Sequence, residues 1–427
     1  MIGSRYMFEL RKVLRKLWVR TSVFALLGIA VVGVTPLISP LLPDWLAGIE
    51  AANSIESILN IIATSMLAVT TFSVSIMLTA YGAASGSGTP RAVALLKEDV
   101  TSQMVLATFL GAFLFSLFAL IGVRSGAFDD AGKVVLFFAT MWVTLAVVLA
   151  LVRWITHLTS FGRLDDTISR VETAAVKAMK TRVDQPYLGG VPPRPGAADW
   201  TPAYPETSGY LCHVDMPALQ KMAEASGGCD GPPLVRLDVL PGSFVHRKRA
   251  LIWLSPQIAK DKACLETACK AFTIASARTF DQDPRFGLSV LSEIAERALS
   301  PAVNDPGTAL DVLGRQFRVL ELWHQRKSDT KPEFPLVAVP GLSMDDLLED
   351  AFAGIARDGA AAVSVQMRLQ KLLIALTQSR PDLFAQAALR LSERAMSEVA
   401  KTGMYGVDLH RVESLNKELH DAVRGLT

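Results

Sequence analysis

The fold class predicted for this chain is a membrane α-helical region of four transmembrane helices, followed by a cytosolic α+β domain. That domain is mostly helical, with a small β-rich module. Three observations predict this. Half of the 427 residues are hydrophobic, too many for an ordinary soluble chain of this length. Four long uncharged runs crowd the first third: Thr21–Pro43, Ser57–Pro90, Val100–Val123 and Val134–Val152. Beyond residue 153 the chain changes to charged, amphipathic helices broken by one proline-rich stretch.

Each run supplies the roughly 20 apolar residues that a helix needs to cross a hydrocarbon core of about 30 Å. The transmembrane region is therefore 1–156, with spans at about 19–42, 57–80, 101–123 and 134–156. Charge sets its orientation. Arg5, Arg11, Lys12, Arg15, Lys16 and Arg20 precede the first span, and the loop Asp44–Glu56 has no basic residue. The second loop carries Arg91 and Lys97, the third only Arg124 and Lys133. Arg153, Arg163, Arg170, Lys177, Lys180 and Arg182 lie at the end of the fourth span and beyond it. The positive-inside rule then places the N-terminus, the second loop and everything after residue 153, the C-terminus included, in the cytoplasm. A signal-peptide reading of the basic start leaves the C-terminal region cytosolic as well.

Residues 157–182 read as a stalk helix, with Leu164, Ile168, Val171, Ala175 and Met179 in one apolar stripe. Residues 183–206 hold six prolines and three glycines and read as a linker. Residues 207–256 form the β-rich module. In it Gly209–Val214, Leu234–Leu240 and Ala250–Leu254 are strand-like, and Asp215 caps a helix over Met216–Ala225. Residues 257–427 form the helical domain, with helices at 262–271, 286–299, 306–325, 343–357, 362–378, 382–402 and 407–423. Cys212, Cys229, Cys264 and Cys269 all fall in this reducing compartment and are expected as small buried hydrophobes, not disulfides.

Two groups of residues are candidates for function. In the second span Asn60, Thr64, Thr71, Ser75 and Thr79 recur at steps of four and seven, a stripe suited to lining a pore or to packing another helix. In the domain, Arg278, Asp281, Asp283, Arg285, Glu293, Arg297, Asn304 and Asp305 form an ion-pair network or an anion-binding pocket. Within that window, Asp305 followed by Pro306 is a helix start: a capping carboxylate, then a residue pre-set for the first turn. The stretch 296–313 therefore reads first as a corner between two helices.

The segments Arg278-Thr-Phe-Asp-Gln-Asp-Pro-Arg-Phe-Gly287, Ile294-Ala-Glu-Arg-Ala-Leu-Ser-Pro301 and Asn304-Asp305-Pro306 resemble the bacterial membrane proteins grouped as domain of unknown function 2254. So do Thr89-Pro90-Arg91 with Asp99 and Gln103, Ser208-Gly209-Tyr210 with Asp215, and Pro241-Gly242-Ser243-Phe244-Val245. Ser87-Gly88 departs from the bulkier glutamine–aromatic pair expected there. The resemblance implies a multi-pass membrane protein and brings no catalytic residue.

No charged residue lies deep in a span, which argues against proton-coupled carriers and voltage sensors. The glycine-rich turn Tyr81–Arg91 lacks the order of a phosphate-binding loop and reads as a flexible cytosolic turn. No metal-site spacing, HExxH or GxSxG appears. An enzyme is not expected, no cofactor is implied, and a net charge of +2 gives no reason to expect nucleic acid. The expected partners are the lipid bilayer, further copies of the chain, and an ion or small ligand. Two functions follow: an oligomeric pore gated by the cytosolic domain, or a non-conducting anchored scaffold or ligand sensor.

Overall fold

The computed structural model describes residues 17–38, 54–194, 199–226, 232–260, 262–326 and 331–425. The basic residues 5–16, the end of the first span (39–42), most of the first loop (44–53), part of the linker (195–198) and Cys229 lie outside the described residues. The described residues divide into two compact units, one drawn from 17–86 and 93–167, the other from 87–92 and 168–425.

The first unit is helical. Helix α1 spans Leu17–Ile38, α2 Ile55–Ser87, α3 Pro90–Lys97, α4 Val100–Arg124 and α5 Asp130–Leu158. Three of them, α2, α4 and α5, are long and apolar enough to cross a membrane, while α1 carries a shorter apolar stretch over Thr21–Thr35. Small residues set the closest approach. A Cβ on Gly111 would lie 3.1 Å from the Phe24 Cβ, and one on Gly28 3.1 Å from the Phe115 Cβ. Gly111 of the pattern Ala107-xxx-Gly111 is thus a contact between α1 and α4, as small residues in apolar helices permit. Phe109, Leu106, Met77 and Trp154 are among the side chains that fill the core between α2, α4 and α5.

The turn Tyr81–Arg91 is not the flexible loop expected from its glycines and serines. Helix α2 continues to Ser87, and the chain breaks only at Gly88 and Thr89. The Thr89 hydroxyl then accepts the Ala92 N–H at 3.3 Å, and Pro90 opens α3. Alanine and serine are tolerated in a helix when nothing competes for the backbone, so glycine content alone misplaced this boundary.

Helix α6, Leu164–Asp184, belongs to the second unit from Ile168 onward. Its stripe Ile168, Val171, Ala175 and Met179 is buried. Next come β1 (Thr201–Ala203), β2 (Gly209–Val214), α7 (Met216–Ala225), β3 (Val235–Leu237), β4 (Phe244–Val245), β5 (Ile252–Leu254) and α8 (Pro256–Ala259). Helix α9 (Lys262–Lys270) and β6 (Phe272–Ala275) lead into α10 (Pro284–Leu299) and α11 (Pro306–Glu321). After β7 (Val337–Ala338) come α12 (Met344–Leu348), a π-helical turn Glu349–Ala353, α13 (Gly354–Asp358), α14 (Val363–Ser379), α15 (Pro381–Ala400) and α16 (Gly406–Arg424).

Two small sheets form. One has the order β1-β5-β3-β7, antiparallel except for the parallel β3/β7 pair; the other is β4-β2-β6, antiparallel throughout. The stretch 183–206, expected as a linker, is built into this part. Leu188 belongs to its core with Tyr187 packed against it, Val191 bridges Ala338, and Thr201–Ala203 pairs with Ile252–Leu254. Proline forbids helix here but is tolerated on an edge strand, where its missing N–H costs nothing. The β structure also exceeds the expected 207–256, because β6 and β7 lie between the predicted helices of the part read as mostly helical. They are four and two residues long, too short for a period-two pattern to show.

Candidate functional site

The site grows from the start of α10. Asp283 precedes Pro284, and its carboxylate caps the helix by accepting the Phe286 N–H at 3.2 Å. Both carboxylate oxygens also accept from Arg278, Nε at 2.8 Å and Nη2 at 3.1 Å. The Asp283 side chain is only 1% exposed. Burial pushes its pKa above the ordinary carboxylate value, against the pull of Arg278 and the Phe286 N–H. The Arg278 guanidinium lies 5.0 Å from the Phe286 ring centroid, so a cation–π contact adds to the pair.

The turn Pro241-Gly242-Ser243 sits directly on this carboxylate. Gly242 has φ +97°, and a Cβ there would come within 2.3 Å of Asp283 Oδ2. Only glycine fits both the left-handed backbone and the close approach. Two residues beyond Asp283, Arg285 donates from Nε to Asp350 and from Nη1 to Asp346, each at 2.5 Å. Burial works against the Arg285 charge, but the hydrogen bond and charge of Asp350, with Asp346, raise its pKa.

Between the turn and these side chains lies a cavity of about 320 Å³, lined by Leu240–Ser243, Arg249, Arg278, Arg285 and Asp346, among others. Three arginines meet two carboxylates, Asp238 and Asp346, around it. The arrangement suits an anion, although two of the arginines already hold carboxylates.

The predicted cluster is therefore divided. Arg278, Asp283 and Arg285 gather at this cavity. Further along α10, Glu293 pairs with Arg91 at 2.6 Å, and Arg297 Nη1 donates to the Gly88 carbonyl at 3.2 Å. Asn304 and Asp305 stand at the corner before α11. Asn304 adopts φ +49°, a conformation asparagine tolerates better than most residues. Asp305 accepts from the Thr308 hydroxyl at 2.6 Å and the Thr308 N–H at 3.1 Å, which lowers its pKa. Asp281 lines a different cavity.

Sequence reasoning missed several participants. Gly242 was legible only as a turn. Arg249 carried no pattern, and Asp346 and Asp350 lie too far along the chain to be paired with Arg285 by spacing.

In the first unit Asn60, Thr64, Thr71, Ser75 and Thr79 are all exposed. The four hydroxyls donate to their own helix, at Asn60, Leu67, Thr71 and Ser75 carbonyls. At one end of the unit, Asp99 caps α4 through Ser102 N–H at 2.7 Å, and its Oδ2 lies 2.9 Å from His157 Nε2.

The family model for the predicted membrane proteins DUF2254 matches residues 15–375. The chain belongs to this family. Uncharacterized proteins of Mycobacterium bovis and Mycobacterium tuberculosis are each 27% identical over 402 residues, covering 87% of this chain and 74% of theirs. No solved structure matches. As a member of DUF2254 the chain is a membrane protein, in keeping with its apolar helices.

Proposed function

We propose that this DUF2254 protein crosses the bacterial inner membrane four times, with both termini cytoplasmic, and that its copies assemble around a polar path lined by α2. The cytosolic unit gates that path. One observation carries the reading: the stripe from Asn60 to Thr79 is exposed, and its four hydroxyls donate to carbonyls of their own helix. Interhelical hydrogen bonding among the described residues therefore does not explain these hydroxyls. At 100° per residue, exposed Ile61 and Phe72 flank the stripe on one side and exposed Leu67 and Leu78 on the other. A polar strip between two apolar margins suits a helix that packs neighbours on both sides and turns its hydroxyls to a shared axis.

The test places a cysteine at Thr71 after the native cysteines are replaced. In a pore the thiol reacts with a small water-soluble reagent, because reaction needs thiolate and water. Thr71→Trp then blocks ion flux through reconstituted protein, and Thr71→Ser preserves it. An unreactive thiol in well-assembled protein that passes no ions ends the reading.

The second reading is a non-conducting ligand sensor, favoured by the arginine-lined cavity at the start of α10. The same helix holds Ser87–Ala92 through Glu293 and Arg297, roughly 12 to 18 Å along its axis from Arg285 at 1.5 Å per residue. A ligand that shifts Arg285 has a rigid element through which to move that segment. Neither reading requires a catalytic step.

A further inference from the structure

The edge strand β4 leads into a turn made of basic residues. Strand alternation sends Val245 inward, where it is buried, and Phe244 outward, where it is 52% exposed. His246, Arg247, Lys248 and Arg249 follow, all exposed. The Arg249 N–H donates to the His246 carbonyl at 2.9 Å and closes the turn, which puts Arg247 and Lys248 at its tip. Among the described residues, no ion pair joins Arg247, Lys248 or Arg249 to a carboxylate. Their bonds go to backbone instead: Arg247 Nε to the Glu206 carbonyl at 2.8 Å, Arg249 Nη1 to the Phe244 carbonyl at 3.2 Å. The turn is held in shape while its charges stay uncompensated.

The bond to Glu206 ties a second segment to the turn, and Tyr204, two residues earlier, is 46% exposed. Tyr210, opposite Phe244 in the sheet, packs edge-on against its ring at 5.2 Å. Three cations and two exposed aromatic rings thus stand together with one exposed carboxylate, Glu206. Charge on an edge strand commonly guards it against pairing with other chains. That accounts for the cations but not for the rings beside them, since solubility alone keeps aromatic residues off a surface.

Cations interleaved with aromatic rings suit a lipid headgroup layer, where phosphates take the charges and the rings settle among the headgroups. The chain brings such a surface within reach. It is a membrane protein, and residues 159–163 alone separate α5, long and apolar enough to cross a bilayer, from α6. A tethered partner acts at high effective concentration, whereas an acidic protein must be met from solution. We propose that the turn 246–249, with Phe244 and Tyr204 beside it, docks on the surface of an anionic bilayer. This goes beyond both functional readings and is measurable whether or not the protein conducts.

The experiment uses full-length protein in nanodiscs of phosphatidylcholine alone or mixed with phosphatidylglycerol, so that lipid is available whichever side the unit occupies. In a cysteine-free background, Thr207→Cys, at an exposed position, carries a bimane label, and lipids with a nitroxide at the headgroup quench it on contact. Quenching is strong with phosphatidylglycerol, weak without it, and lost in high salt, which screens exposed charges. Each Lys or Arg at an anionic surface strengthens contact about fivefold, so Arg247→Gln with Lys248→Gln weakens docking about 25-fold, with little change in thermal midpoint. Arg249 is kept because it also lines the α10 cavity. Equal quenching in both lipids overturns the proposal, as does quenching that survives the double substitution. A label shielded from water but untouched by the nitroxide lipids, the mark of contact between copies, overturns it too. Should the cysteine-free chain fail to fold, amide exchange over residues 244–249 of the unaltered chain decides the matter. It is slower with phosphatidylglycerol if the turn docks, and equal exchange in the two lipids overturns the proposal.

Discussion

Gly242 and Asp283 depend on each other in a way that neither residue type shows alone. The carboxylate fills the space a Cβ would need, and the turn closes over a charge that is almost wholly out of water. Gly242→Ala adds left-handed strain of about 1–2 kcal/mol and a clash against a bonded carboxylate that cannot swing away. Its midpoint in urea should fall by more than the strain alone explains, and Asp283→Ala should cost about 3–5 kcal/mol by leaving Arg278 unpaired. At the other end of α10, Asp305 is a plain cap. Asp305→Asn and Asp305→Ser should nearly preserve stability, whereas Asp305→Ala should lose about 1 kcal/mol. The sign of its pH dependence follows from a folded pKa below 3.8. Its contribution is present above that ordinary value and fades as pH falls through the folded one. Circular dichroism melts at descending pH should show this acid limb shrink in Asp305→Asn. A functional assay that collapses in Asp305→Asn while folding holds would give the carboxylate a role beyond capping.

At the scale of elements, the stretch 183–206 separates what the sequence could show from what it could not. Among the described residues no helix continues beyond Asp184, as the prolines require, but they do not distinguish a free linker from an edge strand with a buried face. Ala203 is 3% exposed and lies in the core of the sheet unit. Ala203→Asp should therefore destabilise that unit by several kcal/mol, since an unpaired charge is buried, and limited proteolysis should register the loss. A true linker would accept the aspartate without effect. The long helices were legible because their apolar period repeats over several turns: 363–379, 381–400 and 406–424 fall within a residue or two of where the pattern puts them. Strands of two to four residues offer no such repeat. The candidate site was legible at Asp305, where a local rule operates between neighbours, and at Arg278 and Asp283, five residues apart. Arg285 with Asp346 and Asp350 was not, because sixty residues of chain intervene and only the fold joins them. Arg182 was read as one more cytoplasmic charge; it is 2% exposed because α6 lies beside Gln282 and Asp283, a hundred residues on, which no local pattern reveals.

For the whole molecule, the orientation in the membrane is where charge and structure meet. The basic residues assigned to the outer side, Arg124 and Lys133, are each matched by an acid: Arg124 lies 2.6 Å from Glu56 and Lys133 2.9 Å from Asp130. That end of the unit therefore presents little net positive charge. Basic residues before the first span and after the fourth outnumber these two, which is the bias behind the proposed orientation with both termini inward. Both pairs are exposed and contribute under about 1 kcal/mol each, and because acids count little in the rule they leave the charge bias nearly unchanged. Removing one acid tests this. Glu56→Gln should leave the fold intact while adding an uncompensated cation outside, a weak disturbance because acids count little in the rule. A direct map is more decisive. In a cysteine-free background, Ser125→Cys in the turn between α4 and α5 should react with a membrane-impermeant thiol reagent in intact cells. Arg163→Cys, just before α6, should react only after the cells are opened. The opposite pattern would invert the protein, place the α10 cavity outside the cytoplasm, and end the idea of a cytosolic gate.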